Sequence, residues 1–473
     1  MKKLILSILL ITGILQSCTK DFDTLNINTK QPSSVEPSTL FASASRSYGR
    51  FLASPNVNFN IWRLISQYWT ETTYTDESNY DLSTRNIPRN VWDALYRDVL
   101  KDLDEAAKLV PSTTATGDEK KSQLAQIQIL KALAFYTLVN TFGNVPYSDA
   151  LNIANPKPSY DSGAAIYNDL ILKLNSAISD LENSSEGFGT SDIIYNADNS
   201  KWIKFANVIK LRIGINLADV DNAAGKSIVE SAVSKGIFTS NDDNATFKFT
   251  AVNPNSNPVW EDLVLSGRKD FVIAKTFVDK LNQLNDPRRS AYMKQVDAGG
   301  FVGGVYGASN NYSAFSQCAD WFTVPEREVI IADYSEVCFL LAEAAERGFS
   351  VGGTAESYYN EGIKANFEYY NVGGVDNYLA TPDVKYTTAA GSWKEKIGVQ
   401  SWIALYNRGH ESWTSWRRLD FPALVAPSTA RSPIPVRYPY SVDEQTLNKA
   451  NWEAASTAIG GDVVTTKLFW DKF

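Results

Sequence analysis

The cysteine nearest the N-terminus, Cys18, lies where a thiol would be acylated. It follows two lysines, an apolar stretch over residues 4–15 and a small residue, Ser17. A positive end followed by a short apolar run is typical of a secretory signal, and this run is too short to span a bilayer. A small residue before a cysteine marks the cleavage and acylation site of bacterial lipoproteins. We therefore predict a lipoprotein signal peptide over residues 1–17 and lipidation of Cys18, with an ordinary signal peptide as the alternative.

The chain has a single histidine, His410, and this excludes several classes of enzyme. Every nucleophilic triad with a histidine base would need this one residue, and a zinc site with two histidine ligands is impossible. His410 follows Gly409, which can end one helix before the next begins, so the sequence favours a turn or cap role. Hydrolysis by two carboxylates needs no histidine, so a surface glycosidase stays open as an alternative.

The other two cysteines, Cys318 and Cys338, form no Cys-x-x-Cys pattern and indicate no thiolate zinc site. Cys338 lies on a helical apolar face, which predicts a buried thiol. A disulfide between the two is the less favoured alternative, although an oxidising compartment would permit it.

Aromatic rings in two predicted loops have the chemistry of a sugar-binding platform. A ring face stacks on the apolar face of a pyranose, while amides and carboxylates bind its hydroxyls. One loop, residues 67–80, mixes rings with polar side chains, and the other, residues 297–325, is rich in glycine. The candidate ligand-binding rings are Trp69, Tyr74, Tyr80, Tyr306, Tyr312 and Trp321. The alternative for each ring is that it packs its loop onto the core.

Three carboxylates near the first loop, Asp76, Glu77 and Asp81, are oxygen ligands of the kind that calcium prefers. Their spacing matches no known calcium-binding loop, so a solvated acidic turn is favoured. We predict no metal site and no cofactor. The net charge of −8 comes without any basic stripe, and this argues against nucleic acid as a partner.

Helical periodicity dominates the chain. Apolar residues recur three and four positions apart in several long runs, around residues 92–103, 124–138, 166–181, 202–213 and 337–345. Residues 89–110 pair with 119–142, and residues 160–183 with 199–219, in a pattern similar to tetratricopeptide-like repeats, which stack to bury a shared core. The predicted fold class is mostly α, with a tetratricopeptide-like helix-pair scaffold.

Two stretches interrupt this helical pattern. The helix pairs are expected at about residues 35–220 and 325–420, whereas loop-rich insertions fill about 242–325 and 371–391. Long structured loops are usually functional, so we expect the irregular half to bind a ligand. No linker divides the chain, and residues 18–473 are predicted to form one domain. Short strands are expected near residues 245–250 and 435–437.

Four stretches carry a combination of short motifs in a fixed order. They are KALAFY and FGNVPY (131–147), YSEV and LAEA (334–344), QSWIALY with ESW and WRR (400–418), and PIPVRYP (433–439). Together with the lipoprotein signal, they resemble the SusD/RagB family of outer-membrane nutrient-binding lipoproteins. Phe135 and Ser401 stand where many members carry a basic or polar residue.

The charged and aromatic residues of these stretches also have a structural interpretation. Glu343 and Glu346 are expected to pair with arginines of neighbouring helices, and the guanidinium groups of Arg417 and Arg418 with carboxylates. Trp402, Trp413 and Trp416 are expected to belong to the scaffold.

The resemblance implies a binding protein and not an enzyme. It implies a cell-surface lipoprotein, held in the outer membrane by its lipid, that binds oligosaccharide. It also implies that the protein passes this ligand to a SusC-like TonB-dependent transporter, for which it serves as the lid. The acidic residues that follow Cys18 agree with surface export. The alternatives are a peptide-binding member of the same family, the surface glycosidase, and a helical-repeat scaffold that binds only protein.

Overall fold

The computed structural model describes residues 35–114, 116–184 and 186–473. The predicted signal peptide over residues 1–17 and the predicted lipidation site, Cys18, lie outside these residues. Helices account for 53% of the structure and strands are few, so the prediction of a mostly α, tetratricopeptide-like fold is confirmed. Among the described helices, none has the length and apolar character needed to cross a membrane.

The helices vary from single turns to long rods. They are α1 (Pro37–Ala53), α2 (Trp62–Ile65), α3 (Ile87–Leu95), α4 (Lys101–Thr113), α5 (Gly117–Phe142), α6 (Gly163–Glu182), α7 (Asn199–Leu217), α8 (Asn222–Lys235), α9 (Pro258–Trp260), α10 (Lys275–Gln283), α11 (Arg289–Tyr292), α12 (Tyr334–Glu346), α13 (Ala355–Tyr369), α14 (Val375–Ala380), α15 (Trp393–Ala404), α16 (Gly409–Leu419), α17 (Val442–Leu447) and α18 (Lys449–Ala458). Two π turns, Tyr96–Leu100 and Glu261–Leu265, continue α3 and α9.

The longer helices pack in pairs. Helix α4 packs on α5, and α6 on α7, which are the two pairs that the periodicity predicts. The pairs α5–α6, α7–α8 and α12–α13 also pack together, so each helix shares its apolar face with both neighbours. At the α7–α8 crossing the two glycines Gly214 and Gly225 face each other, and a Cβ added at Gly225 would lie 2.7 Å from the Gly214 carbonyl oxygen. The absence of side chains at these two positions permits this close approach.

Polar caps fix where the helices begin. The side chain of Thr116 accepts the Glu119 amide at the start of α5, and Asp333 accepts the Glu336 amide at the start of α12. Each such cap stabilises a helix by about 1 kcal/mol. Helix α5 ends at Gly143, whose φ of +88° suits glycine, and Pro146 follows three residues later.

Four short strands complete the structure. β1 (Trp69–Glu71) pairs with β3 (Phe271–Ile273), and β2 (Ala245–Phe247) pairs with β4 (Val329–Ala332), both antiparallel. β2 lies within the predicted strand near residues 245–250. The prediction of a strand near residues 435–437 is wrong, because the backbone of this segment does not pair with one neighbouring strand. The Val436 amide donates to the Val464 carbonyl oxygen and the Tyr438 amide to that of Thr141. The Arg437 guanidinium donates to the Phe142 carbonyl oxygen and to Asp462.

Buried ion pairs join the helix pairs at the centre of the scaffold. Glu336 on α12 accepts both Nε and Nη2 of Arg212 on α7, at 2.7 and 2.8 Å, and also pairs with Arg408. All three side chains are at most 6% exposed. Asp333 also pairs with Arg408 at 2.8 Å, and Glu411 lies 3.5 Å from Arg212. Buried charges need partners in good geometry, so this network of two arginines and three carboxylates constrains how the helices can pack.

A second cluster lies two turns along α12. Glu343 pairs with Arg347, which follows the last residue of α12, and with Arg418 on α16, both at 2.9 Å, which confirms the expected pairing of Glu343 and Arg418. The expectation for Arg417 is wrong. Its guanidinium donates to the carbonyl oxygens of Asn140 and Val436 and lies 3.6 Å from the centre of the Trp413 ring. Arg417 is therefore stabilised by backbone carbonyl oxygens and an aromatic ring instead of a carboxylate. Glu346 accepts from Tyr386 and not from an arginine.

Candidate functional site

A surface cleft with both rings and polar groups lies beside the β1–β3 pair. We call it the aromatic cleft; it has a volume of about 260 Å³. It is lined by Trp69, Leu263, Val264, Phe271, Val272, Ile273, Lys294, Tyr312, Gln317, Cys318, Asp320 and Thr323. Two of the six predicted ring residues, Trp69 and Tyr312, therefore meet at one site.

Strand pairing builds the floor of the aromatic cleft. Trp69 lies opposite Ile273 in the antiparallel register, and Thr70 opposite Val272. The Ile273 amide donates to the Ser316 carbonyl oxygen at 2.8 Å, and the Lys294 amide to that of Gln317 at 2.8 Å. The cleft thus brings together four chain segments that lie far apart in the sequence.

Tyr312 is the half-buried ring of the cleft. It begins the 3₁₀ turn Tyr312–Ala314, which Asn311 caps, and its carbonyl oxygen accepts the side-chain amide of Gln317 at 3.0 Å. The ammonium of Lys269 lies 5.7 Å from the ring centre. Burial raises the pKa of the Tyr312 hydroxyl, so it is neutral and can donate a hydrogen bond at neutral pH.

The polar groups of the cleft are exposed enough to meet a ligand. Lys294 and Asp320 form a 2.6 Å ion pair in which the carboxylate is 85% exposed. Surface pairs of this kind contribute little to stability, about 0–1 kcal/mol. Among the described residues that line the cleft, Asp320 is the only carboxylate, so the two carboxylates that a glycosidase needs do not meet here.

Cys318 gives the cleft wall a thiol, but an unreactive one. Burial raises the pKa of this thiol to about 12, so the nucleophilic thiolate is scarce at neutral pH. Cys318 and Cys338 are both free and buried, so the disulfide alternative is not formed in the described structure.

Two of the predicted loop rings are core rings instead. Trp69 is 1% exposed, and its indole N–H donates to the Tyr406 hydroxyl at 2.8 Å. Tyr80 is 2% exposed, and its hydroxyl accepts from Gln67 at 3.2 Å. Placing these rings at the surface is wrong because β1 pairs with β3 and carries Trp69 inward, while the turn after it folds Tyr80 against the core. Trp69 still forms the inner wall of the cleft.

The other three predicted rings lie outside the cleft lining. Tyr306 is half-buried, and its hydroxyl donates to the Leu64 carbonyl oxygen at 2.6 Å. Trp321 is half-buried, and the guanidinium of Arg327 covers one ring face at 3.9 Å. Tyr74 is 79% exposed. Tyr74 is thus the only one of the three whose ring is freely presented, and ligand binding by these residues stays a prediction.

Two carboxyl groups share a buried position behind the cleft, where β1 ends. Glu71 accepts the Ser78 amide at 2.8 Å, and Glu77 accepts from Arg85 at 2.5 Å. Burial, and then the neighbouring Glu77, raise the pKa of Glu71 to about 9. Glu71 is therefore protonated at neutral pH, and its proton is the donor available to the second Glu77 oxygen, which is buried without another partner.

The three carboxylates considered for calcium are matched by arginines. Asp76 and Asp81 both pair with Arg431, at 2.6 and 2.9 Å, and Glu77 pairs with Arg85. Asp81 and Glu77 are also buried, so the predicted solvated acidic turn is in fact an ion-paired one. Within the described residues, no three histidine, cysteine or acidic side chains converge to form a metal site.

His410 lies in the first turn of α16, as predicted, but in the core. It is 3% exposed, and its ring stands edge-on to Trp62. Burial lowers the pKa of His410, and Glu411 at 3.3 Å opposes this shift. The imidazole is distant from the cleft lining, so it supplies no base there.

One asparagine ties together the loops next to the cleft. The side chain of Asn79 donates to the Gly307 carbonyl oxygen at 2.8 Å and accepts from Thr429 at 2.5 Å. Its own carbonyl oxygen accepts the Arg431 amide at 2.8 Å. Loops from three distant parts of the chain are thus joined at one residue.

The comparison with known families decides the identity of this fold. Residues 29–441 match the family described as SusD-like, starch-binding and associating with the outer membrane. The chain belongs to the SusD-like family. Proteins of this family bind carbohydrate and are not catalytic, so the prediction of a binding protein and not an enzyme is confirmed. The described association of the family with the outer membrane agrees with the predicted location.

Several solved structures share the fold over nearly the whole chain. A chitin-binding protein is 25% identical with a TM-score of 0.80, and the match covers 93% of this chain and 100% of that one. A SusD homologue from Bacteroides uniformis is 26% identical with a TM-score of 0.80, covering 92% and 99%. A chitin-binding SusD homologue from Flavobacterium johnsoniae is 22% identical with a TM-score of 0.79, covering 92% and 99%, and supports the fold alone. No curated protein sequence matches the chain.

Proposed function

We propose that this SusD-like protein binds an oligosaccharide in the aromatic cleft and delivers it to a SusC-like TonB-dependent transporter of the outer membrane. The observation that carries the proposal is the half-buried Tyr312 ring, placed among the polar side chains of Lys294, Gln317 and Asp320. A ring that stacks on a sugar face, next to groups that bind hydroxyls, is the usual arrangement of a carbohydrate site.

The charge of the cleft supports a neutral ligand. The lysine and the carboxylate at its rim form one ion pair, so neither sign dominates. A neutral sugar gains hydrogen bonds from both members of such a pair without the cost of burying a charge. The family is described as starch-binding and one relative is a chitin-binding protein, so malto-oligosaccharides and chito-oligosaccharides are the first ligands to test.

Titration calorimetry with these two oligosaccharide series tests the site. Tyr312→Ala should weaken binding by about 2 kcal/mol, the scale of an aromatic anchor at an interface, and should leave the melting temperature nearly unchanged. Tyr386→Ala is the matched control, because Tyr386 is also half-buried but does not line the cleft. Binding that is unchanged by Tyr312→Ala would place the site elsewhere. Affinity for peptides and for neither sugar series would favour the peptide-binding alternative.

The lipid anchor needs its own test. The signal over residues 1–17 and the family's association with the outer membrane support lipidation of Cys18. A single acyl chain holds a protein only marginally, whereas several chains give a durable anchor. Cys18→Ala should therefore move the protein out of the membrane fraction. An unchanged membrane fraction for this variant would contradict the proposal.

The transporter partner is tested in the native membrane. The loops joined at Asn79 present a rim that suits a lid. Gentle extraction of the outer membrane should recover the lipoprotein together with a TonB-dependent transporter, and deletion of that transporter should abolish uptake of the ligand while leaving surface binding intact. Normal uptake after the deletion would contradict the partnership.

A further inference from the structure

A second, larger depression lies on the other side of one short helical segment from the aromatic cleft. It is a groove of about 720 Å³ between α1 and α3; we call it the polar groove. Its lining includes Arg46, Arg50, Asn56, Phe59, Asn90 and Arg97. No part of the proposed function above uses this surface.

The polar groove and the aromatic cleft share a wall. This wall is the segment of α9 and its π turn, residues 258–265. Glu261 and Asp262 line the polar groove, while the next two residues, Leu263 and Val264, line the aromatic cleft. A helical turn with its side chains is about 10–12 Å across, so one extended ligand can reach both depressions by crossing this ridge.

The arginines of the polar groove carry little free charge. Arg50 makes a bidentate pair with Glu261 at 2.7 and 3.0 Å, and Arg97 pairs with Asp98 at 2.7 Å. Arg46 donates to the Asn255 side chain at 2.6 Å and to the Pro254 carbonyl oxygen at 2.7 Å. Since most charges are already matched, the groove does not favour a polyanion.

What remains in the groove is a set of groups that suit hydroxyls. The amides of Asn56 and Asn58 are exposed, and Asn90 is half-buried. The side-chain amide of Asn58 can both donate and accept, as a sugar hydroxyl also does. The Asn56 side-chain oxygen already accepts the Asn58 backbone amide, and the Asn90 side-chain nitrogen already donates to two backbone carbonyl oxygens, so Asn56 offers its nitrogen and Asn90 its oxygen. Phe59 adds a half-buried ring, packed against Phe51 with 6.0 Å between ring centres. The groove therefore repeats the chemistry of the aromatic cleft, a ring among polar side chains, on a larger scale.

Size gives the second argument. Pockets that enclose a drug-sized ligand measure about 300–1,000 Å³, and the aromatic cleft falls just below this range. A long oligosaccharide must extend beyond the cleft, and the polar groove is the depression that shares a wall with it. We propose that the polar groove is a second subsite, and that the ligand is a neutral oligosaccharide long enough to cross the ridge of residues 258–265. This inference rests on the proposed function.

The proposal predicts how affinity depends on ligand length. A short oligosaccharide binds in one depression only, whereas a long one binds both at once, and the second contact is then made at a high effective concentration. Affinity should rise steeply once the chain is long enough to span the ridge. Substitutions in the polar groove should lower the affinity for long ligands and leave the affinity for short ligands unchanged.

Titration calorimetry on the full chain tests this prediction with two series, chitobiose to chitohexaose and maltose to maltoheptaose. Phe59→Ala should lower the affinity for the longest ligand that binds by about tenfold. It should leave the affinity for the disaccharide unchanged. Because Phe59 packs on Phe51, Asn58→Ala is the second variant: Asn58 is exposed, so its truncation leaves the core intact. Asn222→Ala, an exposed asparagine outside both depressions, is the control.

The outcomes separate this inference from the proposed function. Both proposals are supported if Tyr312→Ala lowers the affinity for every ligand while Phe59→Ala and Asn58→Ala lower the affinity for the long ligands only. If Tyr312→Ala weakens binding but neither groove variant does, or if wild-type affinity does not rise with length, the second subsite is wrong and the cleft stands. If the wild type binds neither series, the oligosaccharide function itself fails.

Discussion

The helix-pair scaffold and the loop half of the molecule place their charged side chains in opposite ways. In the scaffold, Glu336 is buried between Arg212 and Arg408, so the charges face one another away from water. At the aromatic cleft, Lys294 and Asp320 lie at the surface and face solvent. Charges of the first kind constrain structure, whereas charges of the second kind stay accessible to a ligand.

The change from buried to exposed polar side chains does not coincide with the change from helices to loops. Glu71 and Trp69 belong to a loop by sequence, yet both are buried and hydrogen-bonded like scaffold residues. The inner side of the loop half thus belongs to the same core as the scaffold, since Trp69, Phe271 and Ile273 pack in one apolar cluster with it. Substitutions that compare a scaffold residue, an inner loop residue and an outer loop residue can locate this change.

The largest effect is expected from the scaffold charges. Glu336→Ala removes the acceptor of three buried guanidinium hydrogen bonds, two from Arg212 and one from Arg408, and leaves each arginine with one other carboxylate. It should lower the free energy of unfolding by about 3–5 kcal/mol. Glu453→Ala is the control, since its pair with Lys449 is exposed on both sides and exposed pairs contribute about 0–1 kcal/mol. Urea denaturation measures both. Losses of equal size would show that the buried cluster does not stabilise the scaffold.

An effect of similar size is expected from the inner loop ring. Trp69→Ala should cost about 3–5 kcal/mol of stability, as Trp402→Ala should, because both indoles are buried and donate hydrogen bonds. Tyr312→Ala, at the cleft surface, should change stability far less. If the Trp69→Ala variant has the melting temperature of the wild type, then Trp69 does not contribute to the core that it shares with the scaffold.

A pH-dependent effect is expected from Glu71. Its pKa of about 9 lies above its ordinary value of 4.5, so between these two pH values the folded state holds a proton that the unfolded state has released. Stability from this group therefore falls as pH rises, by about 1.4 kcal/mol per unit. Glu71→Gln removes this slope and keeps a donor for Glu77, so the variant should gain stability over the wild type as the pH rises above neutral.

Urea denaturation across the neutral to mildly alkaline range measures this difference. Glu105→Gln, on an exposed residue of α4, is the control and should leave the slope unchanged. Parallel stability curves for Glu71→Gln and the wild type would mean that Glu71 is ionised in the folded protein.

The smallest effect on stability is expected at the outer edge of the loops. Tyr74 is 79% exposed, so Tyr74→Ala should change the free energy of unfolding by no more than about 0.5 kcal/mol. If Tyr74 binds ligand as predicted, the same variant lowers affinity, by less than Tyr312→Ala does because its ring lies outside the cleft. A large loss of stability would place this ring in the core with Tyr80.

Local sequence patterns predicted the scaffold well because helical periodicity is a local signal. The pairing of Glu343 on α12 with Arg418 on α16 was also expected, because buried charged side chains need partners of opposite charge. The cleft depends on contacts that no local pattern contains. Trp69 lies about 200 residues from its strand partner Ile273, so its polar neighbours in sequence indicated an exposed loop where the structure has a strand.

The same reason explains which site residues the sequence did not indicate. Lys294 and Gln317 line the cleft, but each lies in a short irregular segment whose neighbours have no distinctive pattern. Phe271 lies in a strand of three residues, too short for alternation to be recognised. Tyr312 was predicted together with Tyr306 and Trp321 because aromatic residues in a long glycine-rich loop suggest a binding platform, and the sequence could not tell which of the three lines the cleft.

The three-way junction at Asn79 has a consequence for the speed and strength of recognition. Its hydrogen bonds to residues near positions 307, 429 and 431 order these loops when the chain folds. The conformational entropy of the loops is then lost during folding and not during association. A ligand or a partner protein meets a preorganised rim, and more of its contact energy is kept as affinity.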